Sequence, residues 1–195
     1  MIPLSHPFRL ATPDDADVLA RFVNWAGEGM PEYLWTQMAE EGQDPWDVGR
    51  ARQAAKAAEG QIVVIDHGQG ALAGLTGYVI GPDPEPTNDL PNLFVPLQEL
   101  ENLAPNSWYV NVLAALPEHR GQGLGGQLLA LAEQIGRAEG QQRMSIIVDA
   151  ENTGARRLYE RTGYVETARR PAAAQGWDKA PGEWVLLIKD LAAGD

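Results

Sequence analysis

The 195-residue sequence predicts a mixed α/β fold on three observations. Cap-then-proline signals at Thr12-Pro13 and Asp44-Pro45 open helices in the first part of the chain. A β-branched run, a glycine turn and a second apolar run form a hairpin before the midpoint. A strong strand, a glycine-rich segment, a helix with one apolar side and another strand then follow, and the crossover helix makes those two strands parallel.

Taken in order, Phe8 to Ala11 reads as a short strand. Thr12-Pro13-Asp14-Asp15 starts a helix: threonine can cap, proline suits the first helical position, and two acids face the positive helix end. Ala16, Leu19, Ala20, Phe22 and Val23 recur at helical spacing until Gly27 and Gly29 stop the run. Met30 to Met38 is a second short helix, and Asp44-Pro45-Trp46 opens an alanine-rich third that ends at Glu59-Gly60. Gln61 to Asp66 and Ala71 to Ile80 are the hairpin strands around His67-Gly68-Gln69-Gly70. Gly81 to Pro96 holds five prolines without periodicity and reads as a loop, followed by a short helix over Leu97 to Leu103. Trp108 to Leu113 is the clearest strand. The glycine segment leads from it into a helix carrying Leu124, Leu128, Leu129, Leu131, Ala132 and Ile135, and then to a strand over Met144 to Val148. A helix over Thr153 to Thr162 and strands over Tyr164 to Ala168 and Trp184 to Ile188 close the chain.

Composition narrows the function classes. A hydrophobic share of 44% with 22% charged residues supports one real core, hence a single domain over 1–195. No apolar run approaches the roughly 20 residues of a membrane span, and the start lacks the basic and apolar regions of a signal peptide. Cytoplasmic residence and no membrane partner are therefore expected. The absence of cysteine excludes disulfides, thiolate chemistry and cysteine-ligated zinc, and no metal is expected. A net charge of −12 argues against nucleic acid as a partner, because phosphate binding needs clustered Lys and Arg. The same charge would steer a cationic or amine-bearing substrate favourably.

The chemistry concentrates in Arg120-Gly121-Gln122-Gly123-Leu124-Gly125-Gly126. Glycines at a helix start let backbone approach a phosphate and leave N–H groups aimed along a favourable dipole. This marks an anion site without naming the anion. Gly121-x-Gly123-x-x-Gly126 even fits the dinucleotide fingerprint, with Asp149 as its ribose-binding acid. Three features oppose that reading. Pro117-Glu118-His119-Arg120 separates strand from glycine, the interval to Asp149 exceeds the expected ~20 residues, and too little chain follows for a second mononucleotide half. No Gly-Lys-Ser/Thr is present, so a Walker loop is excluded.

Arg120-x-x-Gly123-x-Gly125, preceded by Ala115-Leu116-Pro117-Glu118-His119, resembles the pyrophosphate motif of the GNAT superfamily of N-acetyltransferases. Asn152-x-x-Ala155-x-x-Leu158-Tyr159-x-x-x-Gly163-Tyr164 resembles the second motif of that family. Two motifs in order, with a helix and a strand between them, make the likeness specific from about Trp108 to Tyr164. The resemblance implies an α/β (α+β) domain. Its sheet would be mixed and mostly antiparallel, with a central parallel splayed strand pair and helices on both faces. Residues 8–105 would form the acceptor-side part and 106–195 the acetyl-CoA-binding part.

The resemblance also implies roles. Backbone amides of Gly121, Gln122, Gly123, Gly125 and Gly126 would hold the pyrophosphate of acetyl-CoA, with Arg120 shaping the loop. Main chain at Leu113 and Ala115 would bind the pantetheine arm and polarise the thioester. Asn152 would bond the pantetheine or the adjoining loop, and Tyr159 would be the general acid for the departing thiolate. The residues by themselves leave Asn152 as a helix cap and Tyr159 as a core aromatic beside Leu158. The implied activity is acetyl transfer to a primary amine of a small molecule or peptide. The alternative is a silent acyl-CoA-binding sensor or interaction domain.

No residue announces itself as the base. Tyr109 and Asn111 alternate on the strand facing the acceptor without being bases, and Glu28, Glu32 and Asp149 are the carboxylates in contention with a water relay. Trp25, Met30, Tyr33, Leu34, Trp35 and Trp46 would line an aromatic acceptor pocket or else be core. The proline-rich loop is a lid or a surface connection. Family habit allows a homodimer through the last strands and Trp177 or Trp184.

Overall fold

The short strand β1 (Phe8–Leu10) runs into a capped turn because Asp15 reaches back. Its Oδ2 accepts from the Thr12 N–H at 2.8 Å and the Thr12 hydroxyl at 3.3 Å, and Pro13–Asp15 wind as a 3-10 turn into α1 (Ala16–Ala26). The computed structural model describes residues 2–173, 176–177 and 182–191. Gly29, left-handed at φ 87°, caps α2 (Met30–Met38). Asp44 accepts from the Trp46 N–H at 3.0 Å and starts α3 (Pro45–Ala58) behind its proline. Both cap-then-proline expectations hold.

The hairpin is β2 (Val63–Asp66) and β3 (Ala71–Ile80), antiparallel as expected. Asp66 Oδ1 organises the turn by accepting from Gly68, Gln69 and Gly70 N–H at 2.6, 3.1 and 3.1 Å. The next helix is α4 (Val95–Glu101), not Leu97 to Leu103. Pro96 sits in its first turn, where a missing N–H costs nothing, so the proline belongs to the helix rather than to the loop. Then come β4 (Ser107–Ala115), α5 (Leu124–Ala138), β5 (Arg143–Asp149), α6 (Thr153–Arg161), β6 (Val165–Pro171) and β7 (Glu183–Asp190).

Among the described residues the strands form one seven-stranded sheet in the order β1-β2-β3-β4-β5-β7-β6. β4 and β5 are parallel, whereas β5–β7 and β6–β7 are antiparallel. This is the mostly antiparallel sheet with a central parallel pair that the sequence predicts. The parallel register runs from Ser107↔Arg143 to Val110↔Ile146, and β4 continues beyond it to Ala115. The two edges are β1, three residues long, and β6, which carries Glu166, Arg169 and Arg170 among mostly exposed positions. No helix among the described residues is long and apolar enough to cross a membrane.

The chain groups into two compact units that interleave in sequence. One holds residues 3–76 and 112–128. Its core joins Ala11, Leu19, Phe22, Ala57, Ile62, Val64, Ala71 and Val112. Phe22 lies where a Cβ on Gly74 would come within 2.7 Å of its ring, and Trp35 sits over Gly49 in the same way, at 2.6 Å. Each buried aromatic contributes roughly 1.5–3 kcal/mol of apolar transfer. The other unit holds, of the described residues, 2, 77–111, 129–173, 176–177 and 182–191. Leu129, Ala132 and Ile135 of α5, Met144 and Ile146 of β5, and Leu186 and Leu187 of β7 are among its buried apolar positions. Gly136 brings α5 down onto the sheet, since a Cβ there would meet Met144 Sδ at 2.9 Å and Trp108 Cβ at 3.1 Å. Beneath it the buried hydroxyls of Ser107 and Ser145 bond at 2.7 Å, joining the parallel strands.

Candidate functional site

The glycine loop follows from how β4 ends. Pro117–His119 form a 3-10 turn that halts the strand, with His119 N–H donating to Leu116 O at 2.9 Å and Arg120 N–H to Pro117 O at 3.2 Å. Gly121 (φ 76°) and Gly123 (φ 85°) then turn the backbone through left-handed geometry, which only glycine adopts without strain. α5 begins directly, and Gln127 N–H closes its first turn on Gly123 O at 3.1 Å. Intrahelical bonding leaves the N–H groups of that first turn unused, at the positive end of the helix dipole. A Cβ built on Gly121, Gly123 or Gly126 would meet nothing within 4 Å, so this backbone faces open space.

Arg120 braces the loop. Its Nε donates to Ala115 O at 3.3 Å, and its guanidinium lies 5.4 Å from the Trp25 ring centroid. Gln122 Nε2 donates to Glu118 O at 3.1 Å and closes the same bend. Leu113 and Ala115 occupy the half-buried end of β4. These predicted cofactor residues therefore gather in one unit.

Asn152 and Tyr159 belong to the other unit. Asn152 caps α6, its Oδ1 accepting from the Ala155 N–H at 3.1 Å. Tyr159 is buried at 5% exposure, its ring tilted against Tyr164 at 6.1 Å between centroids. Tyr164 is buried too, with Lys189 Nζ 6.0 Å over its ring. Burial, with the charge of Glu133, holds its hydroxyl well above the usual tyrosine range.

The carboxylates proposed as bases from sequence have other partners. Glu32 accepts from Asn24 Nδ2 at 3.2 Å and donates its N–H to Asn24 Oδ1 at 3.0 Å, fixing the start of α2. Asp149 accepts from the Glu151 N–H at 2.9 Å in the turn before α6. Glu28 lies in the link between α1 and α2, at a left-handed φ of 53°. Of the aromatic set, Trp35 and Met30 are buried, and Trp46 packs edge-on to Trp35 at 5.4 Å, so these are core of the helical layer.

Sequence reasoning missed a second polar cluster. Tyr78 of β3 donates its hydroxyl to Glu101 Oε2 at 2.9 Å, and its ring stands 5.2 Å from that of Tyr109 of β4, inclined at 59°. Burial raises the Glu101 carboxyl above the ordinary range, a rise that the Tyr78 hydrogen bond opposes. Tyr109 is buried, and burial first, then the charge of Glu101, holds its hydroxyl far above the usual range. The signal was faint: an acid at a short helix end, 23 residues from its partner.

Over residues 22–164 the sequence matches the acetyltransferase (GNAT) family, and the protein belongs to that family. A stretch of 49 residues is 45% identical to the uncharacterized N-acetyltransferase YycN of Bacillus subtilis; it covers 25% of this chain and spans only 31% of that relative. An agmatine N-acetyltransferase structure superposes with a TM-score of 0.64 at 19% identity, covering 94% of this chain and 98% of that one. The Salmonella typhimurium protein yncA, solved with its cofactor acetyl-CoA, gives 0.59 at 18% identity over 96% of each chain. At such identities the likeness is one of fold.

Proposed function

We propose that the protein transfers the acetyl group of acetyl-CoA to a primary amine of a small molecule or peptide, by direct attack in a ternary complex. The observation that carries the reading is the open glycine backbone at residues 121–126, where left-handed glycines and an unfilled helix start present donors to an anion. That backbone fits a pyrophosphate, because no side chain stands above Gly121, Gly123 or Gly126. Acetyl-CoA supplies a thioester carbonyl activated for attack.

This chain's residues do the rest. The amides of Gly121, Gln122, Gly123, Gly125 and Gly126 hold the pyrophosphate, with Arg120 bracing the loop against Ala115 and Trp25. Main chain at Leu113 and Ala115 receives the pantetheine arm and polarises the carbonyl. Asn152 caps α6, and the family motif assigns it a hydrogen bond to the pantetheine or to the adjoining loop. Tyr159, buried on α6, gives its phenolic proton to the departing sulfur.

The deciding experiment is thiol release from acetyl-CoA across amines, polyamines, amino acids and peptides, agmatine included. Release with at least one amine supports the reading. Tight acetyl-CoA binding with no release across the panel would leave a silent acyl-CoA-binding domain in its place.

A further inference from the structure

Two glutamates end α4, and their surroundings differ. Glu99 accepts from Arg170 Nε at 2.7 Å, so its charge is matched. Glu101, two residues on and half-buried, has no Lys or Arg partner among the described residues; its hydrogen bond comes from the neutral phenol of Tyr78. A carboxylate drawn from water without a cation is costly, so a cation arriving beside it would be bound favourably. Arg170 of β6, the cation that meets this helix, is committed to Glu99.

What surrounds Glu101 suits an ammonium group. The Tyr78 and Tyr109 rings meet at 59° beside it, and ring faces attract cations. Tyr78 remains 43% exposed, so the cluster is open to a ligand from solution.

We propose that Glu101 receives the ammonium group of the acceptor and takes its proton before transfer, with Tyr78 positioning the carboxylate and the Tyr78–Tyr109 rings flanking the cation. The assignment rests on the acetyltransferase reading and supplies the base it lacks. The balance is simple. Glu101 takes one proton from the ammonium and passes it to water, leaving a neutral amine. The nitrogen forms the C–N bond, the C–S bond breaks, and the sulfur leaves with a proton from Tyr159, which the second nitrogen proton replaces. Ammonium and acetyl-CoA thus yield amide, CoA and one free proton. Glu101 is a better base than an ordinary carboxylate because burial raises its carboxyl.

The test compares wild type with Glu101→Gln and Tyr78→Phe, using the amine that wild type turns over fastest. Glu101→Gln should lower kcat/KM at neutral pH by about 100-fold. The deficit should shrink as pH rises and the amine loses its proton unaided, while acetyl-CoA affinity by calorimetry stays unchanged. An aniline, already neutral at pH 7, should be acetylated almost equally by both. Tyr78→Phe removes the bond that favours the carboxylate, so its acid limb should move to higher pH. Carbon-13 carboxyl spectra of the protein without acetyl-CoA give an independent readout. One glutamate should titrate above the ordinary range, move further up in Tyr78→Phe and shift on adding the amine. Wild-type turnover in Glu101→Gln, or no such resonance, overturns the proposal while leaving the acetyltransferase reading intact. A wild type that releases no thiol with any amine removes both.

Discussion

The guanidinium of Arg120 lies 5.4 Å from the centre of the Trp25 ring while its Nε donates to the carbonyl of Ala115. One side chain thus ties the glycine loop to the end of β4 and to α1, within a single unit. Arg120→Ala should loosen the loop more than the fold. Stability should fall by about 0.5–1 kcal/mol, the worth of an exposed cation–aromatic contact. Acetyl-CoA affinity should weaken several-fold by calorimetry. Trp25→Leu should reproduce part of the affinity loss, and unchanged affinity in both would remove the brace from the site.

Gly126 separates stability from binding. It lies inside the first turn of α5 with open space where a Cβ would sit. Gly126→Ala should therefore stabilise the helix by about 0.5–1 kcal/mol. The same methyl would occupy the space that the pyrophosphate needs, so affinity for acetyl-CoA should drop. A higher Tm with undiminished affinity would move the anion elsewhere.

Tyr159→Phe keeps the buried ring against Tyr164 and removes only the hydroxyl. Turnover should fall about 100-fold or more if the phenol protonates the leaving sulfur, with acetyl-CoA affinity nearly unchanged. Wild-type turnover would return Tyr159 to the core.

The two buried serines are not equivalent. Ser107 donates its one hydroxyl proton to Ala104 O at 2.7 Å, so in the bond between the serines Ser145 must donate. Ser107→Ala leaves a donor on Ser145 and a carbonyl on Ala104 unmet, which should cost about 1–3 kcal/mol. Ser145→Ala leaves only a lone pair unmet and should cost less. Urea unfolding of the two variants measures the order.

Acid should unfold the protein partly through Arg9. Its hydrogen bonds to Asp15 (2.7 and 2.9 Å) and Asp66 (2.8 Å) hold both carboxyls below the usual range, with backbone N–H groups from Thr12 and from the hairpin turn adding to this. A depressed carboxyl contributes stability that is complete above the unfolded-state value near pH 4 and is lost as pH falls through the folded one. Wild-type Tm should therefore drop below about pH 4. Asp15→Asn and Asp66→Asn should each start lower and flatten that drop.

Much of this fold was legible because local chemistry and tertiary structure agree. Thr12-Pro13 and Asp44-Pro45 open helices by signals a few residues long, and the hairpin strand Ala71–Ile80 lies between turn residues that bound it clearly. The parallel pair followed from a single crossover helix. The start of α4 was less legible, since Pro96 reads as a breaker until its place in the first turn is known. The Glu101–Tyr78 bond was hidden for a different reason: it needs β3, a proline-rich connection and α4 to fold back together, and no short-range pattern encodes that return. Likewise, nothing near Glu32 in sequence shows that Asn24 engages it from the preceding helix.

A sheet has two rims, and each is a template on which another chain can polymerise. Here the first rim is three residues long and follows Pro7, which has no N–H to offer. The second carries Glu166, Arg169 and Arg170, already engaged with Glu183, Glu99 and one another. Charged side chains along an edge strand disfavour the docking of another strand on it. Concentrated solutions of this protein should accordingly resist fibrous aggregation, and copies that do associate should meet through side-chain surfaces rather than by extending the sheet.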